Sequence, residues 1–121
     1  MAKYIRKRFS GKVVAITGSN GKTIVKEWTK ILFGEDKKTC FTPRSYNSQI
    51  GVPISLWQLD QSHEAAVFEA GISAPNQMQA LQEMILPDTG LITNIGEAHR
   101  VNFSSEEEKI NEKLQLFKGC K

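Results

Sequence analysis

At 121 residues, with 40% hydrophobic and 24% charged side chains, the chain is sized and composed for one globular domain with its own core. A net charge of +3 is too mild to point to nucleic acid, and no apolar run nears the roughly 20 residues that a membrane-spanning helix needs. Cys40 and Cys120 lie far apart without metal-ligand spacing, and His63 and His99 form no zinc pair, so reduced thiols in a cytoplasm are expected.

Residues 1–11 are polar and basic, and Lys3-Tyr4-Ile5-Arg6-Lys7-Arg8 reads as a solvated linker or strand edge, with Ser10-Gly11 as a turn. No secretory signal is recognised ahead of the first strand. That strand is the β-branched run Val13 to Ile16, stopped by glycine. From Thr23 to Phe33, Ile24, Val25, Trp28, Ile31 and Leu32 fall at helical spacing, and Gly34 is placed to close the helix. Lys38 to Thr42 is a short strand candidate that stops at Pro43. A polar loop, Arg44 to Gln49, leads to Pro53, which suits the first turn of a helix whose apolar side is Ile54, Leu56, Trp57 and Leu59. Ala65 to Ala70 is a further buried strand. A third helix is expected from about Pro75 to Ile85, with Met78, Leu81 and Ile85 on one face and Leu86-Pro87 ending it. Gly90 to Ile95 reads as another strand. Ser105 to Glu108 is a capping-box pattern, and it opens a last helix striped by Ile110, Leu114 and Phe117.

Strands that alternate with helices, each strand a continuous apolar run, predict an α/β fold with a mostly parallel sheet flanked by helices. Ligands of such sheets bind at the C-terminal ends of the strands. Three strand ends are polar. The first is Thr17-Gly18-Ser19-Asn20-Gly21-Lys22-Thr23, a glycine-rich turn between strand and helix. Backbone amides converge at such a helix start and the helix dipole favours an anion, so the turn is read as a phosphate cradle. Lys22 would reach the β- and γ-phosphates of a nucleotide, and the Thr23 hydroxyl would meet Mg²⁺. An ordinary strand-to-helix turn is the bland alternative.

The second strand end carries Glu69, whose position allows a loop cap or a lysine partner as readily as a magnesium ligand. The third is Thr93-Asn94-Ile95-Gly96-Glu97-Ala98-His99, where a lone histidine after a strand is more often a hydrogen-bonded structural residue than a metal ligand. In the last helix Lys113 falls about 60° to one side of Ile110, at the edge of the apolar stripe, where a lysine can snorkel to water. Lys109 lies further off the stripe.

The phosphate loop has Ile16 where the common pattern has a glycine, and this variant resembles the ATP-binding loop of the Mur ligases, which build the peptide stem of the bacterial cell-wall precursor. Three more segments carry the resemblance, which spans roughly Val13 to Phe117. Glu69-Ala70-Gly71 is similar to the family's magnesium-binding segment. Asn94-Ile95-Gly96 with His99 is similar to a stretch in which the asparagine lies near the phosphates and the histidine helps hold a second metal ion. Lys113-Leu114-Gln115-Leu116-Phe117 resembles the segment whose lysine is carbamylated and becomes an anionic ligand to the second magnesium, with Leu114 and Gln115 departing from the pattern. Asn47-Ser48-Gln49-Ile50-Gly51-Val52-Pro53 is similar to the family's loop that faces substrate or phosphate.

The resemblance implies a P-loop NTPase-like fold, ATP and Mg²⁺ as cofactors, and an acyl-phosphate route to an amide. It makes Lys22, His99 and Lys113 the catalytic candidates. Thr17 to Thr23 and Asn94 become the nucleotide site, Thr23, Glu69, His99 and Lys113 the metal ligands, and Asn47 and Ser48 the substrate contacts. The implied partners are a UDP-sugar peptide and, as acceptor, D-Ala-D-Ala. Residues 12–121 would be the first part of a central ATP-binding domain, expected to be inactive without the domains on either side. A folylpolyglutamate synthase-like ligase, a P-loop kinase and a non-catalytic nucleotide-binding module remain the alternatives. A GTPase would carry an Asn-Lys-x-Asp segment, which is absent.

Overall fold

The computed structural model describes residues 1–33, 38–96 and 102–120. In chain order the elements are α1 (Ala2–Arg8), β1 (Lys12–Thr17), α2 (Lys22–Phe33), β2 (Thr39–Phe41), α3 (Gly51–Leu56), β3 (Ala65–Glu69), α4 (Met78–Ile85), β4 (Thr89–Ile92) and α5 (Glu106–Leu114). A 3₁₀ turn, Gln115–Phe117, follows α5. The four strands form one sheet in the order β2-β3-β1-β4, and every pair is parallel. The expected α/β architecture is therefore present. The C-terminal end of each strand falls on the same edge of the sheet. Register then brings the polar strand ends together: Ile16 stands opposite Glu69, and Thr17 opposite Ile92.

Alternation along the strands sorts the core. Val13, Ala15, Cys40, Ala66 and Phe68 join Val52, Leu56, Met78, Leu81, Ile85 and Leu116 in one buried cluster. This is the face covered by α3, α4 and the chain around the 3₁₀ turn. The opposite residues, Ile16 and Val67, are also buried, and α2 lies on β1, β2 and β3.

Several expectations are corrected. The basic N-terminus is not a solvated linker but a helix packed on α3 and α4, with Arg6 buried. Arg6 donates from Nε to the Ile85 carbonyl (2.5 Å) and from Nη2 to the Leu86 carbonyl (2.5 Å). Those carbonyls end α4, where Leu86 turns into the left-handed region (φ 45°), so a cation from another helix satisfies acceptors that α4 leaves open. In α2 the apolar stripe faces away from the sheet: Ile24, Trp28, Ile31 and Leu32 are all exposed, while Lys26 is 1% exposed. The sequence pattern finds the stripe but not its direction, and polar partners beneath the helix decide which face turns in. In α3, Val52, Ser55 and Leu56 turn inward, while Ile54 and Trp57 are exposed. In α5 the inward residues are Lys109 and Lys113, Ile110 is only half-buried and Leu114 is exposed. The capping box forms in part: Ser105 accepts from the Glu108 amide (3.0 Å), but the Glu108 carboxylate turns back to Ser104. Helix α4 starts at Met78 rather than Pro75, with Met78, Leu81 and Ile85 buried as expected. The predicted helix end at Gly34 lies outside the described residues.

Candidate nucleotide and metal site

The turn after β1 demands glycine. Gly18 has φ 141°, and a Cβ there would stand 1.9 Å from Thr93 Oγ1; Gly21 has φ 80°. The segment after β4 holds the turn in shape. Ser19 N donates to the Asn94 carbonyl (2.9 Å), Asn20 N to Asn94 Oδ1 (3.0 Å) and Thr93 Oγ1 to the Asn20 carbonyl (2.5 Å). Ser19 Oγ also accepts from Gly96 N (2.9 Å). Asn94 thus shapes the loop from behind, and the amides that open α2 are left without intrahelical acceptors. Thr17 contributes its carbonyl to Thr93 (2.9 Å), and its hydroxyl is buried without a hydrogen bond.

Lys22 Nζ donates to the Gly18 carbonyl across the turn (2.9 Å). Burial pushes its pKa down, and Glu69 opposes that change. Thr23 Oγ1 donates to Glu69 Oε2 (3.1 Å). Glu69 is fully buried; its Oε2 also accepts from Asn47 Nδ2 (3.4 Å), and its Oε1 takes no hydrogen bond. Oε1 instead lies 3.2 Å from the Lys26 ammonium, so Oε2, beside the Thr23 hydroxyl, is the carboxylate oxygen that suits a hard cation taking its other ligands from water and phosphate. Among the described residues no three His, Cys, Asp or Glu side chains gather. The donors present fit Mg²⁺ bound together with a nucleotide.

Lys113 is 3% exposed and its pKa falls to about 8, first through burial and then through repulsion by Lys22 and Lys109. The corrected orientation of α5 thus brings three lysines toward one place, which suits a polyanion. Lys109, placed off the stripe by the sequence pattern, reaches the Gly96 carbonyl beneath the phosphate loop. His99 lies outside the described residues.

Asn47 and Ser48 line a cavity of about 420 Å³ that opens beside Lys22 and runs to Ser73 and Gln77. The Ser48 hydroxyl accepts from Ile50 N (3.4 Å) and Gly51 N (3.3 Å), so its first task is to open α3. A second cavity, of about 490 Å³, lies at the far end of the sheet among Tyr4, Arg8, Phe9, Asp60 and His63 and holds no group of the phosphate site.

Sequence reasoning missed Lys26 and Thr42, and gave Thr93 no role of its own. Lys26 Nζ stands 3.2 Å from Glu69 Oε1, and Thr42 Oγ1 accepts from the Glu69 amide (3.0 Å). The available signal for Lys26 was its spacing of one turn from Lys22 and Thr23 on a helix whose apolar residues already form another stripe.

The family model for the Mur ligase middle domain matches residues 16–121. The chain belongs to the Mur ligase family. Curated relatives named UDP-N-acetylmuramoyl-tripeptide–D-alanyl-D-alanine ligase include that of Buchnera aphidicola subsp. Acyrthosiphon pisum, 39% identical over all of this chain and 27% of the relative. That of Treponema pallidum is 35% identical over 97% of this chain and 26% of the relative. Among solved structures, MurF from Acinetobacter baumannii superposes with a TM-score of 0.93 at 29% identity, covering 99% of this chain and 27% of that one. MurF ligase from Thermotoga maritima, solved in complex with ADP, gives 0.88 at 32% identity, covering 99% and 28%. The chain therefore spans about a quarter of the length of the Mur ligases it matches. Among the described residues no helix is long and apolar enough to cross a membrane.

Proposed function

We propose that this chain is the first part of the ATP-binding middle domain of a cytoplasmic ligase that joins D-Ala-D-Ala to UDP-MurNAc-tripeptide. The observation that carries the reading is the Thr23–Glu69 contact at 3.1 Å, one residue from Lys22, where β1 and β3 end together. The names of the relatives, and the ADP held by the Thermotoga maritima structure, support the same nucleotide chemistry and the same acceptor.

In this reading the α2 amides and Lys22 hold the β- and γ-phosphates. Thr23 and Glu69 hold Mg²⁺, which supplies neutralisation of the phosphate charge when bound. The terminal carboxylate of the peptide attacks the γ-phosphorus, the bond to ADP breaks, and an acyl phosphate forms. The amine of D-Ala-D-Ala then displaces inorganic phosphate and leaves an amide. Asn47 and Ser48 face the substrate across the cavity beside Lys22. His99 and Lys113 would hold a second Mg²⁺, which would supply further neutralisation of negative charge. For Lys113 this requires carbamylation: the neutral Nζ adds to CO₂ and loses a proton, and a pKa near 8 leaves an appreciable neutral fraction at physiological pH. Flanking domains supply the UDP and amino-acid sites, so the chain alone binds nucleotide without turning over.

Calorimetric titration of the chain with Mg·ATP, beside Lys22→Ala, tests the phosphate site. Loss of a charged hydrogen bond at the phosphates is expected to weaken binding about 10- to 100-fold. Equal affinity in the two proteins would make the loop an ordinary turn. Phosphate release by a chain carrying the flanking domains, dependent on both UDP-MurNAc-tripeptide and D-Ala-D-Ala, tests the reaction.

A further inference from the structure

Lys26 is among the largest fully buried side chains, yet it carries a charge and stands on a helix that turns four apolar residues to solvent. Burying an ammonium is costly, and a buried ion pair is weak evidence of a gain in stability. Its surroundings show what it holds. Nζ donates to the Thr42 carbonyl (2.9 Å) and to the Arg44 carbonyl, and lies 3.2 Å from Glu69 Oε1 and 3.3 Å from Glu27 Oε1. Arg44 has φ 48°, a conformation seldom adopted outside glycine, and its carbonyl is turned to this lysine. Thr42 closes a ring: its carbonyl accepts from Lys26, and its hydroxyl accepts from the Glu69 amide. Thr23 and Lys26 lie one turn apart on the same side of α2, so successive turns of one helix address the two oxygens of Glu69. Thr23 meets Oε2 and Lys26 meets Oε1.

We propose that Lys26 is a positioning residue of the nucleotide site, which fixes Glu69 Oε1 and the exit of β2 so that Oε2 is presented beside the Thr23 hydroxyl to the cation that accompanies the nucleotide. The inference rests on the nucleotide reading above and deepens it. The same lysine anchors the chain leading to Asn47, which also donates to Oε2, so one ammonium sets both the carboxylate and its neighbour. Lys26 does not itself touch the nucleotide. Its role should therefore show in the gain that Mg²⁺ gives to binding rather than in the affinity for ATP as such.

The experiment is a calorimetric titration of the whole chain with ATP, in Mg²⁺ and in EDTA, for wild type, Lys26→Met and Lys26→Arg. A denaturation curve for each variant checks folding. Lys26→Gln, which keeps an N–H donor on a side chain one atom shorter and removes the charge, carries the test if Lys26→Met does not fold. Losing a group that orients a metal ligand commonly costs about 10- to 100-fold in metal affinity. The expected result is that loss in the Mg²⁺-dependent gain, little change in EDTA, and partial recovery in Lys26→Arg. Equal weakening with and without Mg²⁺, or none in either, would overturn the positioning role while leaving the nucleotide site standing. A wild-type chain whose ATP binding does not respond to Mg²⁺ would overturn the nucleotide reading, and this role with it.

Discussion

Cys40 is the middle residue of β2 and buried, and burial pushes its thiol from 9.0 up to about 11, with Asp60 pushing the same way. The folded chain therefore keeps a proton that the unfolded chain releases between those two values. The resulting stability is fully present below about pH 9 and is lost as pH rises through about 11. Relative to Cys40→Ala, wild type is expected to lose up to roughly 2–3 kcal/mol across that window in denaturant titrations, since one proton held over each pH unit is worth about 1.4 kcal/mol. Parallel stability profiles for the two proteins would show that the thiol titrates alike in both states. At this same scale, Glu69 and Lys22 were legible in the sequence because each sits at a break in an apolar pattern, where a polar residue stands out. Lys26 was not, because a lysine inside a helix ordinarily marks the wet face. Its burial depends on carbonyls of Thr42 and Arg44 that come from a distant part of the chain. Lys109 follows the same logic, since the Gly96 carbonyl that it reaches comes from the segment after β4.

Element boundaries were legible wherever local chemistry enforced them: glycine after β1, Pro87 after α4, Ser105 before α5. Helix α1 was not, because a seven-residue basic segment has little helix stability of its own and depends on contacts far along the chain. The contact that matters is Arg6. Its bonds to the Ile85 and Leu86 carbonyls satisfy the end of α4, and Arg6 Nη2 lies 3.7 Å from Asp88, whose carboxylate also accepts from the Val13 amide (3.0 Å). One guanidinium thus joins α1, α4 and the start of β1. Arg6→Ala is expected to destabilise the chain by about 2–4 kcal/mol, because one buried and one part-buried carbonyl lose a charged donor. Arg8→Ala, at an exposed residue bonded only to the Tyr4 hydroxyl and ring among the contacts described, should cost less than about 0.5 kcal/mol. Equal midpoints for the two variants in urea would mean that α1 contributes nothing to the end of α4.

At the scale of the whole molecule the two sides of the sheet are unequal. One carries the buried cluster under α3 and α4; the other has α2, whose outer stripe of Ile24, Trp28, Ile31 and Leu32 is 56–83% exposed. A stripe of this size is rarely left open on a monomeric protein, and the chain spans only about a quarter of the length of its relatives. The amphipathic pattern was legible in the sequence, but its direction was not, because periodicity reports that a face is apolar and not which surface covers it. The consequence can be measured directly. The chain has two tryptophans, Trp28 on that stripe and Trp57 just after α3, exposed 62% and 61%. Indole emission shifts to the red in water, so the folded chain in dilute solution should already emit close to the unfolded position. Addition of denaturant should then barely move the spectrum while far-ultraviolet circular dichroism is lost in a cooperative step. A blue-shifted native spectrum that turns red on unfolding would show that a surface open in this structure is covered in solution. Trp28→Phe and Trp57→Phe, measured separately, would assign the covered surface to the α2 stripe or to the end of α3.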